Sequence, residues 1–595
     1  MRIKLKFLLL LPLSLPLVSC SGSDKISFQT GSDTFETYYN DHYFDLNNDE
    51  VHEEIALASH AMALATFNGD EDYSKRSYYL RDLWHKEGFE RLYFNESFYT
   101  EPGTDTIGFG IASKEVQLLG GKYTLVEIAV RGGNYGAEWT SNFTIGMTGN
   151  SKGFDEASEQ VLDGLTSFLI NNDIEGHVKF WISGFSRAAI TSNLTAGKIL
   201  NRMNAGDYLS PKARYDARDI YAYCFEPPLG VLATNEEATA PLYQGVHNFL
   251  NYNDLVPLVA PAEYGFTRYG TDHYYPDRLT DIYFDVSERE KLISQYHFSW
   301  GAQNFPKYTV DEWKFFDVGG EYAELNNLPR VSIHPSQGRF SRALIHELAT
   351  KGFGNRTAYS FLLEGGIREL FKTIYGKNEN IKGIDTSNMV DIIFEYAFIR
   401  TIINELENNK STEFAMDVEL LFLQLFGANE DNIEAVKQLY QDNFIFLTCF
   451  ANGLRDRQDI TAQLLYRDNA MNIVIGHMPQ LSYSFLSSCD TRLHGKDACK
   501  FNDGTYQVLH INEPRNFTLF EKNIKQEVFT FKDGVMNSDY LSAEMFHDGS
   551  INIYLPHNGA YEYIGDFKNM NLGQINSNGT EIPSNEIITS QEGTL

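Results

Sequence analysis

The stretch Val178-Lys179-Phe180-Trp181-Ile182-Ser183-Gly184-Phe185-Ser186-Arg187-Ala188-Ala189 constrains this chain more than any other. An apolar β-type run meets Gly-x-Ser-x-Ala and passes at once into a helical pattern. A strand, a sharp turn and a helix must therefore follow one another with no linker. Ser186 then sits on a turn so tight that the residues two before and two after it must be small, and Gly184 and Ala188 are. Such a turn needs a sheet beneath it and a helix leading away, which is how a serine hydroxyl is lifted above a sheet edge as a nucleophile.

The surroundings supply that sheet. Candidate strands lie at 106–112, 123–130, 178–182, 220–225 and 246–252, with helical patterns at 51–64, 155–169 and 187–203. Strands alternating with helices predict a mostly parallel sheet covered on both faces, an α/β class fold. Past residue 300 the texture becomes helical, at 340–351, 357–374, 388–407, 412–426 and 432–443. From 501 to 564 short alternating stretches at 506–511, 527–531, 550–555 and 561–564 predict a small antiparallel β-domain.

The chain has 595 residues, 80 acidic against 49 basic, for a net charge of −31. That balance argues against nucleic acid as a partner, because phosphate binding needs clustered Lys and Arg. It also disfavours anionic membrane surfaces unless the chain is covalently tethered. Arg2, Lys4 and Lys6 precede an apolar run at 7–18, then Ser19 and Cys20, the layout of a secretory signal too short to span a bilayer. Leu17-Val18-Ser19-Cys20 resembles a bacterial lipobox, which implies acylation of Cys20 and attachment to the outward face of a bacterial cell membrane. An ordinary cleaved signal is the alternative. Of the other cysteines, Cys224, Cys449, Cys489 and Cys499, only the last two enclose a segment suited to a disulfide, with paired and free states equally open. No CxxC or HExxH occurs, so no metal site is expected, and the chemistry below requires no cofactor.

A serine nucleophile needs preorganised N–H donors for the oxyanion. The N–H of Arg187, at the helix start, is the natural first; the second is expected in the loop after strand 123–130, at Gly133. Here the motifs resemble those of class 3 lipases. Ile128-Ala129-Val130-Arg131-Gly132-Gly133 with Glu138-Trp139 is similar to that family's hydrophobic-Phe-Arg-Gly-Thr…Trp segment. Lys152-Gly153-Phe154-Asp155-Glu156-Ala157 is similar to its Gly-Phe-x-x-Ala helix start, and Tyr223-Cys224-Phe225-Glu226-Pro227-Pro228 to its Thr-Phe-Gly-x-Pro strand end. Asn251-Tyr252-Asn253-Asp254-Leu255-Val256-Pro257 resembles its Asn-x-x-Asp-x-Val-Pro, which carries the catalytic acid. The resemblance covers about residues 105 to 275. It implies an α/β-hydrolase fold, Ser186 as nucleophile, Asp254 as the acid and a lipid or other ester as substrate. Asp254 also fits by position, just past a strand end in the triad order Ser, Asp, His, although a bare Asx-turn would look the same. Arg187 and Glu226 depart from the family pattern, and a charged pair between them is one expectation.

Nine histidines follow Asp254: His273, His297, His334, His346, His477, His494, His510, His547 and His557. His477 lies in Asn472-Ile473-Val474-Ile475-Gly476-His477-Met478-Pro479, between an apolar run and a possible helix, where a loop returning to the sheet would carry a general base. Gly476-His477-Met478-Pro479 with Tyr483 also resembles a Gly-His-x-Pro…Tyr region of bacterial members of the same group. His334 is the runner-up. The organisation expected is a signal peptide at 1–19, a polar tether at 20–50, an α/β-hydrolase core at 51–300, a helical insertion or lid at 301–470, a return to the core with the histidine at 471–498, a β-rich module at 499–570 and a polar tail at 571–595. The function implied is a lipid-anchored serine hydrolase of carboxylic esters. A non-catalytic surface binding protein on the same scaffold, or an acyltransferase using the same triad, stays open. Oligomeric state is not encoded in these features.

Overall fold

The computed structural model of the chain describes residues 24–30, 33–67, 77–100, 103, 105–132, 138–251, 254–275, 344–375, 419–420, 422–423, 428–455, 477, 479, 482–483 and 486, together with strand backbone between 515 and 574. Cys20, Gly133, His334, Cys489 and Cys499 lie outside the described residues.

Residues 24–39, expected within a polar tether, instead form a hairpin of β1 (Asp24–Thr30) and β2 (Asp33–Tyr39), paired from Asp24↔Tyr39 to Thr30↔Asp33. The cause is period-two patterning. Ile26, Phe28, Phe35, Thr37 and Tyr39 are buried while the polar residues between them face outward, so composition reads polar over a segment with an apolar face. Helix α1 (Glu53–Ala65) is buried from Ile55 onward, as a helix apolar on every side must be. Helix α2 (Tyr78–Lys86) follows it.

The central sheet is built from β3 (Arg91–Phe94), β4 (Phe109–Leu118), β5 (Gly121–Val130), β6 (Gly176–Phe185), β7 (Ala213–Arg214), β8 (Ile220–Phe225), β10 (Val246–Asn251) and β12 (Thr271–Tyr275). A separate pair, β9 (Val231–Leu232) and β11 (Phe266–Thr267), lies off it. The strand order is β12-β10-β8-β6-β5-β4-β3, with β7 beside one end of β6. The β3–β4 and β4–β5 pairs are antiparallel; every step from β5 to β12 is parallel.

Parallel neighbours need crossovers, and α5 (Lys152–Asn171) and α6 (Arg187–Asn204) provide the first two, after the short helices α3 (Glu96–Tyr99) and α4 (Trp139–Asn142); α7 (Asn235–Ala238) lies in the third. Alternation along β5 sends Leu125 and Ala129 into a core shared with α1 and α2, and Val126, Ile128 and Val130 into one shared with α5 and α6. Both faces are therefore covered, the arrangement of an α/β-hydrolase-like sheet.

Past the sheet, a π-helical turn (Leu348–Phe353), α8 (Arg356–Tyr375) and α9 (Ile433–Leu454) are described. Phe353 and Tyr359 join Ile145, Leu229, Ala260 and Phe266 in one apolar cluster. The Arg356 guanidinium donates to the carbonyls of Ile145, Gly146 and Gly149 at 2.8 to 3.0 Å. These contacts fall on loops that follow β5, β8 and β10, so this helical segment rests at the carboxyl end of the sheet.

Near the C-terminus, β13 (Arg515–Leu519), β14 (Glu527–Phe531), β15 (Val535–Asn537), β16 (Ser542–Met545), β17 (Ile551–His557), β18 (Ala560–Phe567) and β19 (Gly573–Gln574) form two antiparallel sheets, ordered β14-β13-β19 and β15-β16-β17-β18. Among the described residues no helix is long and apolar enough to cross a membrane.

Candidate active site

Ser186 occupies the single residue between β6 and α6, with φ 60° and ψ −127°. A non-glycine residue there carries strain of about 1–3 kcal/mol, and the surroundings must hold it. Its N–H donates to the Phe225 carbonyl at 2.8 Å, tying the turn to β8, and its own carbonyl accepts from the Ala189 N–H at 2.8 Å. A Cβ on Gly184 would lie 2.5 Å from the Ala188 carbonyl oxygen, which is why the residue two before the serine must be glycine.

Asp254 follows the end of β10 and is buried. One carboxylate oxygen accepts the Val256 N–H at 2.9 Å, closing an Asx-turn. The other lies 2.5 Å from His477 Nδ1, so the turn and the histidine contact coexist on one side chain. His477 Nε2 is 2.7 Å from Ser186 Oγ. An ionised carboxylate can only accept, so Nδ1 carries the hydrogen and Nε2 is left to receive the serine's proton. The imidazole leans on Phe185, the residue before Ser186, with ring centroids 5.0 Å apart.

Arg187 is the first residue of α6, where N–H groups have no carbonyl acceptor within the helix. An anion above Ser186 would meet that N–H and the positive end of the helix dipole. The expected second donor, Gly133, is outside the described residues. Its neighbour Gly132 is placed so close to β6 that a Cβ would lie 2.9 Å from the Phe185 carbonyl oxygen. The expected Arg187–Glu226 pair is not formed. The buried Arg187 guanidinium reaches Glu138 Oε1 at 3.3 Å and donates to the Thr106 carbonyl at 3.0 Å, bracing the loop after β5 against the helix start. Burial lowers its pKa, with Glu138 and Asp105 opposing. Glu226 turns the other way and accepts from the Ser482 hydroxyl at 3.0 Å.

The remaining histidines stand elsewhere. His273, on β12, is buried with its Nε2 3.2 Å from His247 Nδ1, and burial lowers its pKa to about 3. His346 is exposed and meets Glu263 at 2.9 Å. His60, on α1, is buried against Phe225 with ring centroids 4.6 Å apart, and desolvation lowers its pKa to about 3, so it stays neutral. Cys224 and Cys449 are free thiols. No group of three or more metal-ligating side chains converges among the described residues. Sequence reasoning missed the Glu226–Ser482 contact and the seat of Tyr483, whose hydroxyl accepts the Glu36 N–H at 2.9 Å and donates back to the Glu36 carbonyl. No local pattern announces a contact across that separation.

No family profile and no curated protein matches the chain. Among solved structures it is similar to a fungal lipase in complex with an inhibitor (14% identity, 38% of this chain and 82% of that one, TM-score 0.27). It is likewise similar to the Rhizomucor miehei lipase propeptide complex (14% identity, 38% and 70%, TM-score 0.25) and to lipase II from Rhizopus niveus (12% identity, 38% and 82%, TM-score 0.25).

Proposed function

We propose that this chain is a serine hydrolase of carboxylic esters, similar in its motifs to class 3 lipases, working through Ser186, His477 and Asp254. The supporting observation is the relay itself: Nε2 of His477 at 2.7 Å from Ser186 Oγ, Nδ1 at 2.5 Å from Asp254, and a strained backbone at Ser186. Ser186 Oγ attacks the ester carbonyl while its proton passes to His477 Nε2. The oxyanion is held by the Arg187 N–H and a second donor at Gly133. Collapse of the tetrahedral intermediate expels the alcohol, which takes the proton from His477 and leaves an acyl-Ser186 ester. Water, deprotonated by His477, repeats the sequence and releases the acid. Asp254 accepts from Nδ1 and fixes the imidazole's tautomer.

The same proposal takes residues 1–19 as an export signal followed by an acylated Cys20, with the enzyme on the outer face of a bacterial membrane. A net charge of −31 then keeps its body off anionic headgroups. A fluorophosphonate probe tests the reading. It should label wild type and not Ser186→Ala, and a panel of esters varied in chain length and head group should be turned over by wild type alone. A folded wild type that neither labels nor hydrolyses any ester refutes it, and transfer to an added alcohol in preference to water would reassign the activity to acyl transfer.

A further inference from the structure

The segment carrying His477 comes to the sheet from far along the chain, and two adjacent residues seat it. Ser482 and Tyr483 have helical backbone and are buried, as is Leu486. Tyr483 enters a pocket beside Phe35, ring centroids 4.8 Å apart, and exchanges hydrogen bonds with the Glu36 backbone in the N-terminal hairpin. Ser482 turns towards the catalytic end of the sheet and donates to Glu226 Oε1 at 3.0 Å.

Glu226 is an odd residue for its position. It is fully buried, follows directly on β8, and adopts φ 52°, a conformation that favours glycine. Its N–H donates to the Phe249 carbonyl at 2.7 Å, fixing it to β10, the strand that leads to Asp254. On the other side, the Phe225 carbonyl accepts the Ser186 N–H at 2.8 Å. Glu226 therefore lies between the nucleophile and the acid, rigidly joined to both strands. A buried carboxylate accepting a hydroxyl makes a strong, directional bond.

We propose that Glu226 is a positioning residue: through Ser482 it holds the segment bearing His477 so that the imidazole meets Ser186 and Asp254 together. This rests on the triad reading above. Tyr483 keeps the segment attached, and Glu226 sets its orientation. Loss of Glu226 thus leaves the segment bound and the imidazole misaligned.

The test uses the full chain with Glu226→Ala, Ser482→Ala, the double variant and Glu226→Gln, whose amide oxygen can still accept from Ser482. Hydrogen exchange is followed in the peptide carrying His477, Ser482 and Tyr483, and kcat and KM with a short-chain p-nitrophenyl ester. Each alanine variant should speed exchange of that peptide and lower kcat, both about tenfold, with KM unchanged. The double variant should match the single ones, and Glu226→Gln should stay near wild type. Wild-type exchange in Glu226→Ala overturns the proposal, as does a double variant whose loss is the product of the two single losses. A lowered Tm with unchanged exchange of this peptide overturns it too. If wild type hydrolyses nothing while the exchange pattern is as expected, the hydrolase reading fails and the Glu226 clamp stands.

Discussion

Replacing Asp254 with asparagine puts two hydrogen bonds in conflict. In the native site one oxygen accepts the Val256 N–H at 2.9 Å and the other accepts from His477 Nδ1 at 2.5 Å. An amide offers one oxygen. If it keeps Val256, the NH2 group faces Nδ1, which must then become an acceptor. The ring's hydrogen moves to Nε2 and points at Ser186 Oγ, 2.7 Å away, so the base can no longer take the serine's proton. If the amide turns over, its NH2 opposes the Val256 N–H, and two buried donors are left facing each other at a cost of about 1–3 kcal/mol.

The first orientation avoids that cost, and the loss it brings is the loss of the correct tautomer. In serine triads this is worth about 10⁴ in kcat, or about 5 kcal/mol of transition-state stabilisation. The expected result is a kcat for Asp254→Asn lower by 10³- to 10⁴-fold with KM within threefold, measured on a short-chain p-nitrophenyl ester, and phosphonate labelling slowed by a similar factor. Urea unfolding of the variant should remain cooperative, with its midpoint near that of wild type. A variant keeping more than a tenth of wild-type kcat would refute the reasoning, since it would mean that Asp254 does not control the imidazole's hydrogen.

Three further outcomes follow from the packing. Gly184→Ala forces a Cβ to within 2.5 Å of backbone at Ala188, so it should destabilise by about 1–3 kcal/mol in urea and slow probe labelling; a neutral effect on both would show that the turn has slack. Tyr483→Phe removes a hydroxyl that bonds both backbone groups of Glu36, and should lower stability by about 1–2 kcal/mol by urea unfolding, against no change if the contact is incidental. Glu127 and Glu87 are buried carboxyls; burial, before any charge effect, raises Glu127 well above 4.5 and Glu87 to about 8. Because these folded values exceed the unfolded ones, the stability they contribute is fully present below about pH 4.5 and is lost as pH rises through the folded values, by up to about 1.4 kcal/mol per pH unit for each proton. Glu127→Gln should therefore flatten the fall in urea midpoint as pH rises above about 4.5, and an unchanged slope would exclude Glu127 as a source.

What the sequence reveals of this molecule is what is written locally. Ser186, Asp254 and His477 each sit in a short motif whose residues constrain one another: Gly184 and Ala188 about the serine, Val256 and Pro257 after the acid, Gly476 and Pro479 about the histidine. The strands 123–130 and 220–225 are apolar enough to be read directly, and β5 and β8 fall there. By contrast, β4 runs on to Leu118 through Lys114, Glu115 and Gln117, polar residues that argue against a strand. Lys114 is nonetheless buried, because Asp41 meets its ammonium at 2.6 Å and the Tyr39 ring lies 4.2 Å from it. That environment exists only after the hairpin region has folded against β4. The hairpin is hidden in the composition of 20–50 for the related reason that its apolar face counts only once the sheet is there to receive it. The Arg187–Glu226 expectation failed because opposite charges close to the same turn say nothing about direction, and the two side chains leave it on different sides.

The same distinction bears on how the site is assembled. Ser186 and Asp254 are tied locally to the sheet that carries them, through the Ser186–Phe225 bond and the Asp254–Val256 turn. His477 closes a sequence separation of 291 residues to the serine and 223 to the aspartate. Contacts across such separations bear a loop-closure entropy that local contacts do not. A residue brought from so far along the chain requires a seat to hold it against that entropy. The seat consists of Glu226 at a strand end and the Glu36 backbone in a hairpin, each held in turn by its own strand neighbours. Strain at Ser186 and Glu226 is thus held by hydrogen bonds to β8 and β10, and the contacts of Ser482 and Tyr483 add the alignment of the imidazole.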